Sequence, residues 1–173
     1  MKIKAIIGGI GLLALGGLGL VWVAYQLLAA SDSDHPEAPS AQGFWGAMKT
    51  IVIADALMGM AYDEGVNFFD NAEVYALGES EKMMGRVLKK KNWDRSSYVV
   101  SSKAYFGWRG KENKPNQTGL SRKHIFEACH EALGRLQLNY LDLFFCHRPD
   151  PNVPIEEVVW TMHNLIQQGK ILY

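Results

Sequence analysis

Cysteine is scarce in this sequence, with two in 173 residues. Cys129 and Cys146 form no spaced pair of the kind that metal or redox motifs use, and they read as small buried hydrophobes of a reduced compartment. His124, Cys129 and His130 have ligand chemistry, but their spacing scatters them around a helix, so no metal is expected. An excess of charge of either sign is also lacking. Eighteen Lys and Arg balance eighteen Asp and Glu, which gives no reason to expect a nucleic-acid or acidic partner. No long-period repeat is visible.

The long hydrophobic run is confined to the start. Residues 5–30, "AIIGGIGLLALGGLGLVWVAYQLLAA", contain no charge. As a helix they would extend about 39 Å, enough to cross a hydrocarbon core of about 30 Å with tilt. Trp22 and Tyr25 stand near one end, where amphipathic rings favour the interface. A competing reading is a nucleotide loop, because Gly9, Gly11 and Ala14 match G-x-G-x-x-A after "KIKAII". That fingerprint needs a helix with a polar outer face, which Leu12 to Tyr25 do not supply. A cleavable signal usually has a shorter apolar core, about 7–15 residues, and Leu28 suits a cleavage site poorly. The expectation is therefore a single-pass N-terminal transmembrane anchor over residues 1–30, with a membrane location. Lys2 and Lys4 before the span, and Asp32, Asp34 and Glu37 after it, place the rest of the chain outside the cytoplasm by the charge rule.

Residues 31–47, rich in Pro, Ser and Ala without apolar periodicity, are expected to be a flexible linker. "FWGAMKTIVI" fits a strand or the start of the next helix. From Asp55 the pattern becomes regular. Ala56, Leu57, Met60 and Ala61 make a helical stripe that Gly65 can close. "VNFF" is a short apolar run ending at Asp70. Met83, Met84, Val87 and Leu88 mark a second helix whose last turn carries "KKK". "SYVVSSKAY" is the next strand. Ser121 can cap a third helix with Ile125, Cys129, Ala132 and Leu136 on one face. "YLDLFFCH" is another strand, and a fourth helix comes after it with Ile155, Val158, Val159, Met162 and Ile166 in a stripe closed by Gly169. Strict alternation of this kind predicts a parallel sheet covered by helices.

Parallel α/β folds hold ligands at the carboxyl ends of their strands. Three successive strands here end on chemistry: Asp70 with Tyr75 just after it in "FFDNAEVY", then Lys103, then His147. A phenol and a carboxylate titrate far from neutrality and need partners to act as acid or base. A neighbouring ammonium favours a phenolate. Asp70 is expected to hold Lys103 charged and in place, and His147 to bond a substrate oxygen. Together the four form a candidate proton donor for a carbonyl oxygen.

The stretches "AYDEGVNFFDNAEVYALGESE", "SSKAYFGW", "GLSRKHIFEACHEALGRLQLNYLDLFFCHRPDP" and "PIEEVVWTMHNLIQQGKILY" resemble the aldo-keto reductases. The resemblance is strongest to the group containing potassium-channel β subunits and their bacterial relatives. It implies Tyr75 as proton donor, with Asp70, Lys103 and His147 completing a catalytic tetrad. It also implies NADPH as hydride donor, Asp70 as a residue near the nicotinamide, and a small carbonyl compound reduced to an alcohol. Channel β subunits of the group carry asparagine where this chain has His147, so an enzyme is expected ahead of a non-catalytic, membrane-tethered channel accessory or a non-functional gene fragment. The family's complete (β/α)8 TIM barrel needs about 250 residues. The expected fold is accordingly a partial barrel over residues 48–173, recognisable from strands two to four. A complementary half-barrel or a channel is the expected partner, and activity from this segment alone is not expected. The charge rule and NADPH chemistry place the catalytic part on opposite sides of a membrane.

Overall fold

The computed structural model describes residues 41–173, with side chains from residue 50 onward. Among them, helices α1 (Ala41–Asp63), α2 (Glu79–Lys91), α3 (Arg122–Leu136) and α4 (Ile155–Gln167) alternate with strands β1 (Phe68–Asp70), β2 (Val99–Ala104) and β3 (Leu143–Cys146). The strands form one parallel sheet in the order β1-β2-β3, with Asp70 opposite Ser101 and Lys103 opposite Phe145. After α4 the chain returns alongside β3. Ile171 bridges Leu141 in parallel, and Tyr173 exchanges backbone hydrogen bonds with Asp142 and Phe144. The result is an arc of a partial α/β barrel, as the alternation predicts.

Local chemistry explains the element ends. The Ser121 hydroxyl accepts from the His124 N–H at the start of α3, which satisfies one of the free donors of the first turn. Glu79 and Glu81 open α2 and Lys89, Lys90 and Lys91 close it, each charge complementing the helix dipole. Gly65 and Gly169 both take positive φ, 91° and 64°, where a side chain would be strained.

The core lies between the sheet and its helices. Ile125, Cys129, Ala132 and Leu136 of α3 are fully buried, as their stripe predicts. In α1 the apolar stripe is displaced. Ala54 and Met58 are buried while Leu57 and Met60 are exposed. Beside that stripe Asp55 pairs with Lys90 and Lys91, and Tyr62 stacks on Trp93 at 3.9 Å. In α4, Val158, Thr161 and Leu165 are buried, and Ile155, Val159 and Ile166 are exposed. Thr161 tolerates burial because its hydroxyl donates to the Glu157 carbonyl. Cys146 is exposed, unlike Cys129.

Two expectations about the N-terminal region change. The helix α1 begins at Ala41, inside the stretch 31–47 expected to be a linker, and "FWGAMKTIVI" takes the helical one of its two expected forms. The expected span over residues 5–30 lies outside the described residues. Among those described, no helix is long and apolar enough to cross a membrane. The expected membrane location is corrected on that finding for the described residues, and the anchor itself lies outside them.

Candidate active site

Side chains alternate across a strand, so the two faces of the sheet differ. Phe69, Val100, Ser102, Ala104 and Phe144 are buried against the helices. The opposite face carries Asp70, Ser101, Lys103 and, just beyond β3, His147. This is the more open face: Phe145 lies on it and is 41% exposed.

All four sequence-predicted residues meet at the carboxyl ends of the strands. The Lys103 ammonium donates to Asp70 Oδ2 at 2.5 Å, to the Asn71 carbonyl at 2.9 Å and to Tyr75 Oη at 3.3 Å. Tyr75 opens a short 310 turn, Tyr75–Gly78, directly after β1. Its ring lies edge-on to the His147 imidazole, with centroids 5.9 Å apart. His147 is fixed by its backbone N–H, which donates to the Ala104 carbonyl. The loop after it is tied to the start of α3, since Asp150 accepts from the Leu120 N–H.

Donor counting sets the direction of chemistry. An ammonium has three donors and no acceptor, and the three contacts of Lys103 consume all of them. Tyr75 Oη therefore accepts from Lys103, which leaves the phenolic proton free to face the open rim. His147 is held below the ordinary histidine range, first by burial and then by the Lys103 and Arg148 charges, with Asp70 and Glu73 opposing. Its Nδ1 is buried without a hydrogen-bond partner. A bare Nδ1 lone pair costs less there than an unpaired N–H. We assign the proton of the neutral ring to Nε2, which makes that nitrogen the donor available for a ligand.

Three residues that sequence patterns do not single out complete the arrangement. Ser101 donates to Asp70 Oδ1, occupying the carboxylate oxygen that Lys103 does not. The signal was present in "SSKAY": Ser101 and Lys103, two apart in a strand, share a face. Asn71 supplies Lys103 with a carbonyl, which no side-chain pattern reveals. Glu73, 1% exposed, turns away from the rim and binds the chain after β2. The candidate metal residues are engaged elsewhere: His124 with Glu73, and His130 with the Phe126 carbonyl. Two surface cavities, of about 470 and 340 Å³, are lined by none of the four site residues.

The aldo/keto reductase family profile matches residues 47–173. Among solved structures, the chain is similar to a thermostable aldo-keto reductase crystallised with the inhibitor epalrestat. Identity is 28% and the TM-score 0.60, covering 71% of this chain and 40% of that one. The chain thus spans less than half the length of that relative.

Proposed function

The chain belongs to the aldo/keto reductase family, and on that premise we propose that its rim donates the proton in NADPH-dependent reduction of a small carbonyl compound to an alcohol. The observation that carries this reading is the Lys103 ammonium, which bonds both Asp70 and the Tyr75 hydroxyl.

The residues present fit the nicotinamide end of such a cofactor. The rim is open, the Tyr75 proton and the His147 donor face it, and Asp70, one-third exposed, borders it. NADPH, when bound, supplies the hydride. Tyr75 gives its proton to the carbonyl oxygen as negative charge develops there. Lys103 stabilises the tyrosinate left behind through a contact already in place. Asp70, held by Ser101, keeps Lys103 oriented. His147 donates to the same substrate oxygen and fixes its position, and orientation of this kind carries a large share of such barriers.

Within the family, "FFDNAEVYALGESE" supports placement near the potassium-channel β-subunit group, and His147 supports an enzyme of that group. A complementary barrel half is the partner this reading needs. The exposed Ile155, Val159, Trp160 and Tyr173 support it, as does the strand-like segment beside β3.

The test is an NADPH-consumption assay with a simple aldehyde, on the chain alone and with a family-typical second half supplied. Activity appearing in the second case and lost in Tyr75→Phe is expected. Turnover unaffected by Tyr75→Phe sinks the proposal.

A further inference from the structure

Glu73 lies between Asp70 and Tyr75 in sequence, yet it points away from both. Its carboxylate is 1% exposed. Oε1 accepts from the Tyr105 N–H at 2.7 Å and from the Gly107 N–H at 2.9 Å. The His124 ring nitrogen Nε2 lies 3.1 Å from the same oxygen. The Glu73 backbone N–H donates to the Lys103 carbonyl at 3.2 Å. One residue therefore grips the chain immediately before, at and after the end of β2.

Between the two gripped amides stands Phe106. Its ring meets the His147 imidazole edge-on, with centroids 5.3 Å apart, and also contacts Tyr105. Phe106 is 39% exposed, so burial does not hold it in place; its backbone must. A carboxylate is a costly way to anchor a loop. Glu73 Oε2 is buried without a partner, and an unsatisfied buried polar atom is destabilising. A folding role alone could be met by a neutral acceptor at lower cost.

We infer that Glu73 is a positioning residue: it anchors the 105–107 turn so that Phe106 holds the His147 ring at the angle from which its Nε2–H reaches the substrate oxygen. The inference rests on the proton-donation reading for its purpose, but the geometry is testable without turnover. Glu73 stands apart from Ser101 and Asn71, which act on Asp70 and Lys103. Its hold on the ring angle travels through the turn and Phe106 to His147, while its charge also acts on the His147 titration directly.

The experiment tracks the carbon-bound ring protons of His147 by NMR, assigned by their loss in His147→Asn. The aromatic ring of Phe106 displaces these resonances, and Phe106→Leu defines their position without it. In Glu73→Ala the signals are expected to move toward the Phe106→Leu position. With the spectra recorded at a pH well above the His147 titration, where loss of the Glu73 charge does not change its protonation, the signals in Glu73→Gln are expected to stay, because the amide oxygen can still accept from both backbone N–H groups. Glu73→Asp is the second variant, should Glu73→Ala fail to fold. It keeps the charge but withdraws the acceptor by one methylene, and it is also expected to move the signals. Unmoved His147 signals in a folded Glu73→Ala or Glu73→Asp protein overturn the inference, as does a shift in Glu73→Gln as large as that in Phe106→Leu. These outcomes are independent of Tyr75→Phe, so failure of the proton-donation reading would show separately.

Discussion

The Lys103 ammonium reaches the Tyr75 hydroxyl at 3.3 Å from 28 residues away in sequence, with Asp70 on its other side at 2.5 Å. The contact exists before any substrate arrives, so charge developing on the phenol meets a fixed cation with no reorganisation. Removing the cation should cost what a positioned general acid contributes, about 100- to 10,000-fold in turnover. Lys103→Met is expected to fall in that range in the aldehyde assay of the completed barrel. Residues that act as a unit are not additive. The double variant Tyr75→Phe with Lys103→Met should therefore be little worse than either alone, and a multiplicative loss would show that the two act separately.

His147 offers a pH test with a definite sign. Burial, Lys103 and Arg148 lower its titration below the usual 6.5. The folded state then binds fewer protons than the unfolded chain as pH falls through and below about 6.5, so stability from this group is full above that pH and declines below it. NMR titration of the imidazole should give a midpoint under 6.5. Lys103→Met removes one lowering charge and should raise that midpoint, while Asp70→Asn removes a raising charge and should lower it. A wild-type midpoint at or above 6.5 would contradict the bare-Nδ1 arrangement.

Both the site and the fold were partly legible in the sequence, for different reasons. Asp70, Lys103 and His147 were legible as strand-end positions, with Tyr75 five residues after Asp70, because parallel strands deliver such positions to one rim. The stripe of α3 was legible because its apolar members are all buried, and the polar His124 and Arg135 buried with them find partners in Glu73 and Glu81. The stripes of α1 and α4 were not. In α1 Asp55 stands beside the buried Ala54 and pairs with Lys90 and Lys91, and in α4 Thr161 enters the core by bonding its own helix. Glu73 was missed because a buried carboxylate looks like a surface one until the amides of Tyr105 and Gly107 are placed against it.

The buried pair of α2 and α3 should behave as a coupled unit. Arg135 Nε donates to Glu81 Oε2 at 2.6 Å, and Glu81 Oε1 accepts from Ser102. Burial pushes the Glu81 carboxyl up despite the opposing Arg135 charge. Breaking one side of such a pair typically costs about 3–5 kcal/mol, because the other charge is left buried. Arg135→Met is expected to destabilise by that order in denaturant unfolding. Adding Glu81→Gln should recover part of the loss, since the stranded charge is gone. A double variant as unstable as the two single losses summed would mean that the residues do not interact.

The closest approach of α2 to α3 makes the last test one of opposite signs at two glycines. A Cβ built on Gly85 would lie 2.6 Å from the Arg135 carbonyl oxygen and from the Leu136 carbonyl carbon and oxygen. These are backbone atoms of a packed helix, so relief requires α2 and α3 to separate. Overpacking of this kind costs about 1–3 kcal/mol. The gain from replacing a mid-helix glycine with alanine, about 1 kcal/mol at most, does not offset it. Gly134, in α3, has nothing within 4 Å of the same construction and keeps a negative φ, so only the propensity gain applies there. Gly85→Ala is therefore expected to lower the unfolding midpoint in denaturant and Gly134→Ala to raise it, with the slope unchanged in both. If Gly85→Ala were neutral, the two helices would have to yield freely at their contact. The rigid support this packing gives to the sheet, and through it to Asp70 and Lys103, would then be lost as an explanation.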